Sequence, residues 1–298
     1  MSNNIFIIAD YAQIEARVLA WLAGQDDLTA DFARGEDIYS KFATRLFGVP
    51  IRKPVKDDPE PIKTYLSIKR GFGKDAILGC GYGMGASTFY ERCVTNNSLR
   101  PLFDSGQYDI LFISKLIKIY RGMYPKIPQL WKTIEKAFRW VIKYPKTGVY
   151  YCNGGLRAVT DWSDCFNMPE DALLAFYNNN KTVCIRLPSS RVLFYPNACD
   201  KFGRLGYKWN SNLWGGFLVE NIIQAISRDI LGEALLVVHK EVCPVVLHSH
   251  DELVCLSSKK DEAVNRTKIR MIMEHALCWC RGLPIAVGIE TSEVYRSI

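Results

Sequence analysis

An α+β fold follows from three stretches of this sequence. Near the start, the apolar run of residues 5–8 passes through Ala9 to Asp10, after which Ile14, Val18 and Leu22 fall four apart: a strand, then an amphipathic helix. Late in the chain, VCIRLPSSRVLFYP sets a turn at residues 188–190 between two β-rich runs, which reads as a hairpin. Residues 243–256 read as strand, turn and strand. Helical periodicity occupies much of the length between these landmarks, so strands and helices are both required.

The elements then fall in order. The first strand and helix end near residues 24–27, and a helix over 28–33 follows. In GEDIYSKFATRLFG, Asp37 is placed to cap the next helix. Pro50, Pro54, Pro59 and Pro61 stop regular structure across 50–61. From Ile62 the chain turns basic and helical, and Arg70, Lys74, Leu78 and Tyr82, four apart, drift slowly around one face that can meet a triphosphate. Gly71, Gly73, Gly79, Gly81, Gly83 and Gly85 each cost a helix up to about 1 kcal/mol, so a phosphate loop is a rival. A P-loop fails, because Asp75 follows Lys74 and Ile68 stands where the first glycine belongs. Gly81, Gly83 and Ala86 fit a dinucleotide turn loosely, yet no clear strand precedes them. A basic surface helix remains a third reading. Helices are expected at 109–123 and 129–144, with Trp131, Phe138 and Trp140 in the core rather than forming a base-stacking platform, the alternative for such a stripe. A long apolar-periodic helix over 216–240 carries Asn221, Gln224 and Arg228, whose polar ends either reach a minor groove or form the polar edge of a buried helix. A final helix over 262–281 and a strand in LPIAVGIETSEVY close the chain.

Composition narrows the class. A chain of 298 residues, 48% of them hydrophobic, can bury a large core in one two-lobed unit or two domains. A net charge of +7 favours an anionic partner without establishing one. No apolar run approaches the roughly 20 residues of a membrane span, and MSNNIF has no basic flank or cleavage-like site, so the chain is expected in the cytoplasm. The ten cysteines are scattered without a CxxC pair and are expected to be reduced. His239, His248, His250 and His275 are too few and too late for a zinc set.

The acids carry the chemistry. Asp10 ends an apolar strand, where a carboxylate either caps the following helix or ligates a metal. A second strand at 245–247 runs into Asp251 and Glu252, 241 positions later (251 minus 10), which suggests one divided divalent-metal site. The whole pattern is DYxQIExR (Asp10, Tyr11, Gln13, Ile14, Glu15, Arg17), then RxxxK with YG eight residues beyond the lysine (Arg70, Lys74, Tyr82, Gly83), then HDE (His250, Asp251, Glu252). In that order and spacing it resembles the family A DNA polymerases, the DNA polymerase I type. GEDIYSKFA (35–43), LPSSRVLFYP (187–196) and WGGFLVENIIQAISRDIL (214–231) look most like the bacteriophage branch. The likeness covers nearly the full chain and is weakest over 95–181.

The resemblance implies a polymerase palm of mainly antiparallel sheet, built from residues 1–24 and 206–298, with a largely helical fingers domain inserted at 25–205. It implies template-directed addition of deoxynucleotides to a primer 3′ end. Two divalent ions about 4 Å apart, Mg2+ or alternatively Mn2+, would be held by Asp10, Asp251 and the Tyr11 carbonyl. Lys74 and Arg70 would face the triphosphate, with Lys74 as proton donor to the leaving group, and Glu252 would stand behind the ligands or at the primer end. Tyr11, Gln13, Glu15, Tyr39, Leu78 and Tyr82 are placed at the nucleotide: Glu15 packs on Tyr39 to close the space of a ribose 2′-OH, and Leu78 stands where relatives carry Phe or Tyr. Gln224, Arg228 and His250 are placed on DNA, while Glu220 replaces a common Asn and Gly216 a common Arg. Glu15 and Glu252 argue against the single-subunit RNA polymerases. A noncatalytic nucleic-acid-binding relative or regulatory subunit is the alternative, against which Asp10, Lys74, Tyr82 and Asp251 stand together. Expected partners are primer-template DNA, deoxynucleoside triphosphates and a second polypeptide. The chain is expected to be half of a split enzyme, whose partner supplies the thumb and the remaining palm, or a truncated copy, because only nine residues precede Asp10 where relatives carry both; the rival is a minimal enzyme in which the insertion over 95–181 clamps DNA in place of a thumb.

Overall fold

The computed structural model describes residues 3–97, 99–152 and 155–295; Met1 and Ser2, part of the N-terminus read as lacking a leader, lie outside them. Strand β1 (Asn4–Tyr11) leads into α1 (Ile14–Ala23), α2 (Asp26–Ala33) and α3 (Ile38–Phe47). Gly24 ends α1 in the left-handed conformation (φ 63°), its amide reaching back to the Ala20 and Trp21 carbonyls. Asp37 caps α3 by accepting the Ser40 amide at 3.3 Å.

Helix α4 (Glu60–Cys80) opens with Pro61 in its first turn and runs through three of the glycines. A Cβ at Gly73 would overlap the Tyr39 carbonyl, and one at Gly81 the Leu19 side chain. These glycines let α4 and the turn after it lie hard against α3 and α1, so neither a phosphate loop nor a dinucleotide turn is formed. After it come α5 (Ala86–Thr95), α6 (Arg100–Asp104), α7 (Ile110–Met123) and α8 (Lys126–Lys143). Trp131 and Phe138 are buried as expected, but Trp140 is 37% exposed and does not belong to the core.

Beyond α8 the chain turns to sheet. Strands β2 (Gly148–Cys152) and β3 (Gly155–Val159) precede a 3-10 turn (Trp162–Phe166), and β4 (Ala172–Asn179), β5 (Thr182–Arg186) and β6 (Val192–Pro196) follow it. They form an antiparallel sheet in the order β3-β2-β4-β5-β6, which contains the expected hairpin at 188–190. A small sheet of β7 (Cys199–Lys201), β8 (Arg204–Tyr207) and β9 (Asn210–Leu213) comes next.

Helix α9 (Gly215–Glu241) leads to β10 (Val245–Ser249), β11 (Glu252–Ser258), α10 (Glu262–Glu274), a 3-10 turn (Cys278–Cys280) and β12 (Val287–Ser292). The last helix stops seven residues short of the expected 281. Its end is tied to β12 instead: Glu274 accepts the Val287 amide at 3.2 Å and Arg270 donates to the Val287 carbonyl at 2.9 Å. The order β10-β11-β1-β12, antiparallel throughout, seats the N-terminal strand between strands from the far end of the chain. By strand alternation Ile7, Ala9 and Tyr11 share one face, and all three are buried. Tyr11 meets α9 and α10 through Ile230, Val237, Met271 and Ile272. Burying side chains such as Ile7 and Tyr11 contributes about 1.5–3 kcal/mol each, which fixes which face of β1 turns inward. Asp10 is therefore on the other face.

Candidate active site

The two halves of the sheet bring the acids together. Asp10 stands opposite Glu252 in the β1–β11 register, and the Tyr11 amide donates to the Asp251 carbonyl at 3.1 Å. That bond makes Asp10 and Glu252 the non-hydrogen-bonded pair of the ladder, whose side chains lie on one face and closest together. On its other side Asp10 faces Gly288, which has no side chain to fill the space. Asp10 does not cap α1: that place is held by Gln13, with no side-chain cap. The Asp10 carboxyl instead lies close to those of Asp251 and Glu252. Burial first, then the charge and hydrogen bond of Asp251 and the charge of Glu252, push the Asp10 carboxyl up to about 7. Gln13 (φ 54°) and His250 (φ 50°) flank the pair in left-handed backbone, a conformation costing of order 1 kcal/mol or more in a residue other than glycine.

A divalent cation fits this donor set, because its charge would offset the repulsion between crowded carboxylates. The Tyr11 carbonyl lies on the same strand edge as its amide, toward residue 251, and can add a third oxygen. Among the described residues no three His, Cys, Asp or Glu side chains converge as a metal cluster. The Tyr11 side chain takes no part. It is 1% exposed on the opposite face of the sheet, lines a cavity of about 310 Å3, and its hydroxyl has no partner among the described residues.

A cleft of about 620 Å3 gathers Gln13, Glu15, Leu78, Gln224, Arg228 and His250 around Asp251. Glu15 accepts a hydrogen bond from the Tyr82 hydroxyl at 2.8 Å. Tyr39, the expected companion of Glu15, lies under the Arg70 guanidinium at 5.1 Å, and the hydrogen bond to Glu15 comes from Tyr82. Arg70 is not a free phosphate-facing cation either. Its Nε and Nη2 grip the Asp37 carboxylate at 2.8 and 3.0 Å, joining α4 to the start of α3. Burial would raise Asp37, but the Arg70 and Ser40 donors hold it below the ordinary carboxylate value. Lys74, one turn further along, is exposed.

The turn carrying Tyr82 is seated on the first turn of α9. Gly83 takes φ 83°, and a Cβ there would overlap the Trp214 ring; a Cβ at Gly216 would overlap both that ring and the Tyr82 carbonyl. No arginine fits at 216 in this arrangement, which accounts for that departure. Trp131 completes the seat by donating to the Gly81 carbonyl at 2.9 Å. Further along α9, burial and then the charge of Glu15 raise the Glu220 carboxyl. Gln224 and Arg228 are exposed, whereas Asn221 donates to the Tyr195 hydroxyl at 3.1 Å and is not turned to a groove.

Some residues at the site carried no signal in the sequence. Tyr295 donates to Glu252 at 2.9 Å and so fixes a carboxylate that is only 4% exposed. Ser227 lines the cleft with a buried hydroxyl that has no partner among the described residues. Arg191 pairs with Asp229 at 2.6 Å and donates to the Ala225 carbonyl at 2.6 Å, anchoring the β5–β6 turn beside Gln224 and Arg228. Arg17, the last motif residue, is buried and donates to the carbonyls of Ala12, Phe32 and Pro284; it braces the loops rather than entering the cleft.

Residues 1–100 match the model of DNA polymerase family A. A DNA polymerase of Bacillus phage SP02 is 28% identical over 99% of this chain and 41% of its own length. DNA polymerase I of Chloroflexus aurantiacus is 37% identical over 34% of this chain and 10% of its own length. The fold is similar to the POL domain of Pol1 from M. smegmatis, solved in complex with DNA primer-template and dNTP, with a TM-score of 0.60 and 16% identity over 97% of this chain and 39% of that one. The chain thus spans less than half the length of the phage relative. The motif-bearing first hundred residues are similar to the family A DNA polymerases, and nearly the whole chain is similar to a phage DNA polymerase.

Proposed function

We propose that this chain is the palm and fingers of a template-directed DNA polymerase, with palm at 1–24 and 206–298 and fingers between. The observation that carries the reading is that the β1–β11 register sets Asp10 opposite Glu252 and next to Asp251, beside a cleft shared with Glu15, Leu78, Gln224 and Arg228. The M. smegmatis neighbour was solved with primer-template DNA and dNTP, and the same classes of partner are proposed here.

Magnesium ions would be held by Asp10, Asp251 and the Tyr11 carbonyl, where they supply charge stabilisation to the attacking and leaving oxygens. The remaining work belongs to the chain. Glu15, pinned by Tyr82, closes the sugar side of the cleft and disfavours a 2′-OH. Lys74 is an exposed ammonium on the helix that carries Leu78 into the cleft, and donates a proton to the departing pyrophosphate. Arg70, held by Asp37, presents a fixed positive charge behind it. Gln224, Arg228 and His250 hold the DNA. Glu252, hydrogen-bonded by Tyr295, stands opposite Asp10 without replacing it as a ligand. A noncatalytic relative would have no need of the crowded acid pair.

A further segment is proposed on the outer edge of β10, where Val246 and Leu247 are 51% and 44% exposed on an edge strand of the sheet. Polypeptide corresponding to the rest of the phage relative's length, including the thumb, would cover it.

The test uses Asp10→Ala and Asp251→Ala. Each should abolish Mg2+-dependent primer extension and the Mg2+-induced rise in Tm while leaving duplex binding within about threefold. Near-normal extension by either variant, or an unchanged Mg2+ response, would refute the metal assignment.

A further inference from the structure

The second half of α8 carries a groove that the acid site does not use. The rings of Trp140 and Tyr144 lie 4.7 Å apart at 52°, 37% and 40% exposed. They are held in place: the Trp140 indole donates to the Thr147 hydroxyl at 3.1 Å, which donates to the Tyr144 carbonyl at 2.9 Å. Beside them runs a cleft of about 530 Å3 lined by Lys136, Arg139, Lys143 and Asp200. Its one acid, Asp200, is paired with Arg139, and the neighbouring Glu135 is taken by Arg139 and the Gly215 amide. Lys136, Lys143 and Lys146 are exposed and make no ion pair among the described residues. The far wall is the β7–β8 turn, fixed by Arg139 donating to the Gly203 carbonyl at 3.0 Å, with fully exposed Phe202 between Lys201 and Arg204.

We propose that this groove binds single-stranded DNA, with bases stacked on Trp140 and Tyr144 and phosphates on Lys136, Lys143 and the β7–β8 turn. Preset aromatic faces accept any base, and uncompensated ammonium groups collect phosphates; together they match the chemistry of an unpaired strand. A purely apolar ligand would leave the lysines without purpose, and an acidic peptide would not call for the fixed ring pair. The groove is also within reach of the cleft. Trp131 abuts the turn carrying Tyr82, and Trp140 lies nine residues further along the same helix, about 14 Å of rise. The inference goes beyond nucleotide addition and does not depend on the acids.

Equilibrium fluorescence anisotropy of a labelled 20-nucleotide oligothymidylate with the whole chain, without nucleotide or divalent ion, tests it. Trp140→Ala should weaken binding tenfold or more, and Trp140→Phe, which keeps a ring, should recover most of that. The exposed pair Lys136→Glu with Lys143→Glu, the arm that holds if Trp140→Ala does not fold, should weaken binding tenfold and flatten its salt dependence. Blunt duplex binding should change less than twofold in each. Unchanged oligonucleotide affinity in the lysine variant, or equal losses for blunt duplex, would overturn the proposal. Asp10→Ala should retain oligonucleotide binding, so failure of the catalytic reading and failure of this one are told apart.

Discussion

Replacing Asp10 by Asn tests the crowding of the acids without any need for activity. In the fold the Asp10 carboxyl is pushed from its ordinary 3.8 to about 7, so the folded state holds its proton more tightly than the unfolded chain does. The sign follows: this contribution to stability is intact below pH 3.8, declines as pH rises toward 7, and levels off above. A gap of about three pH units at roughly 1.36 kcal/mol each is about 4 kcal/mol. Water reaching a partly exposed carboxyl reduces that to about 2 kcal/mol. Without divalent ions, Asp10→Asn should match the parent near pH 4 and exceed its stability at pH 8 by about 2 kcal/mol, or about 4 °C in Tm for a chain of this size. Added Mg2+ should narrow the difference at pH 8 by stabilising the parent alone, since a cation relieves the repulsion that Asn has already removed. Thermal unfolding followed by circular dichroism from pH 4 to 9, in chelator and in Mg2+, measures all of this. Parallel pH profiles for parent and variant would refute the reasoning, because they would mean that Asp10 does not titrate abnormally.

Three further substitutions read the cleft. Tyr82→Phe removes the 2.8 Å bond to Glu15, a charge-assisted contact worth about 1.5 kcal/mol, so the preference for deoxy- over ribonucleotides should fall roughly tenfold; an unchanged ratio in primer extension would show that Glu15 is held by something else. Leu78→Tyr places a hydroxyl where the cleft offers none and should raise dideoxynucleotide incorporation relative to deoxynucleotide by about tenfold or more, and a constant ratio would count against Leu78 as a sugar neighbour. Tyr295→Phe removes one hydrogen bond to the Glu252 carboxylate and should lower kcat about tenfold with nucleotide KM changed less than about twofold; a matching rise in KM would point to a role in nucleotide binding instead.

What the sequence disclosed is what local pattern can carry. The i, i+4 spacing of Ile14, Val18 and Leu22 located α1, the apolar run located β1, and the turn chemistry of LPSS located the β5–β6 hairpin. Strands β7 and β9 read CDK and NSNL, three and four residues with no alternation of apolar and polar, so nothing marked them as sheet. The glycines were legible as unusual but not in meaning. Their cost to a helix is intrinsic, while their purpose, room for the Tyr39 carbonyl, the Leu19 side chain and the Trp214 ring, exists only once distant elements have packed.

The same division runs through the site. Asp10, Asp251 and Glu252 stood out because an acid at the end of an apolar strand is costly wherever the strand lies. Their supports did not stand out, because each is a pairing across the fold: Tyr82 reaches Glu15 over 67 positions, Arg70 reaches Asp37 over 33, and Tyr295 reaches Glu252 over 43. Arg70 shows the consequence. Its helical spacing with Lys74 made it a phosphate ligand by pattern, and only the Asp37 carboxylate, a helix away, shows that its fork is already engaged. A charge that is half spent on a neighbour still contributes field to the cleft, but it cannot release Asp37 to grip a phosphate without loosening the junction of α3 and α4. Under the proposed function Lys74, exposed on the same helix, is the cation to follow the triphosphate, and Arg70 the one that keeps its helix in place.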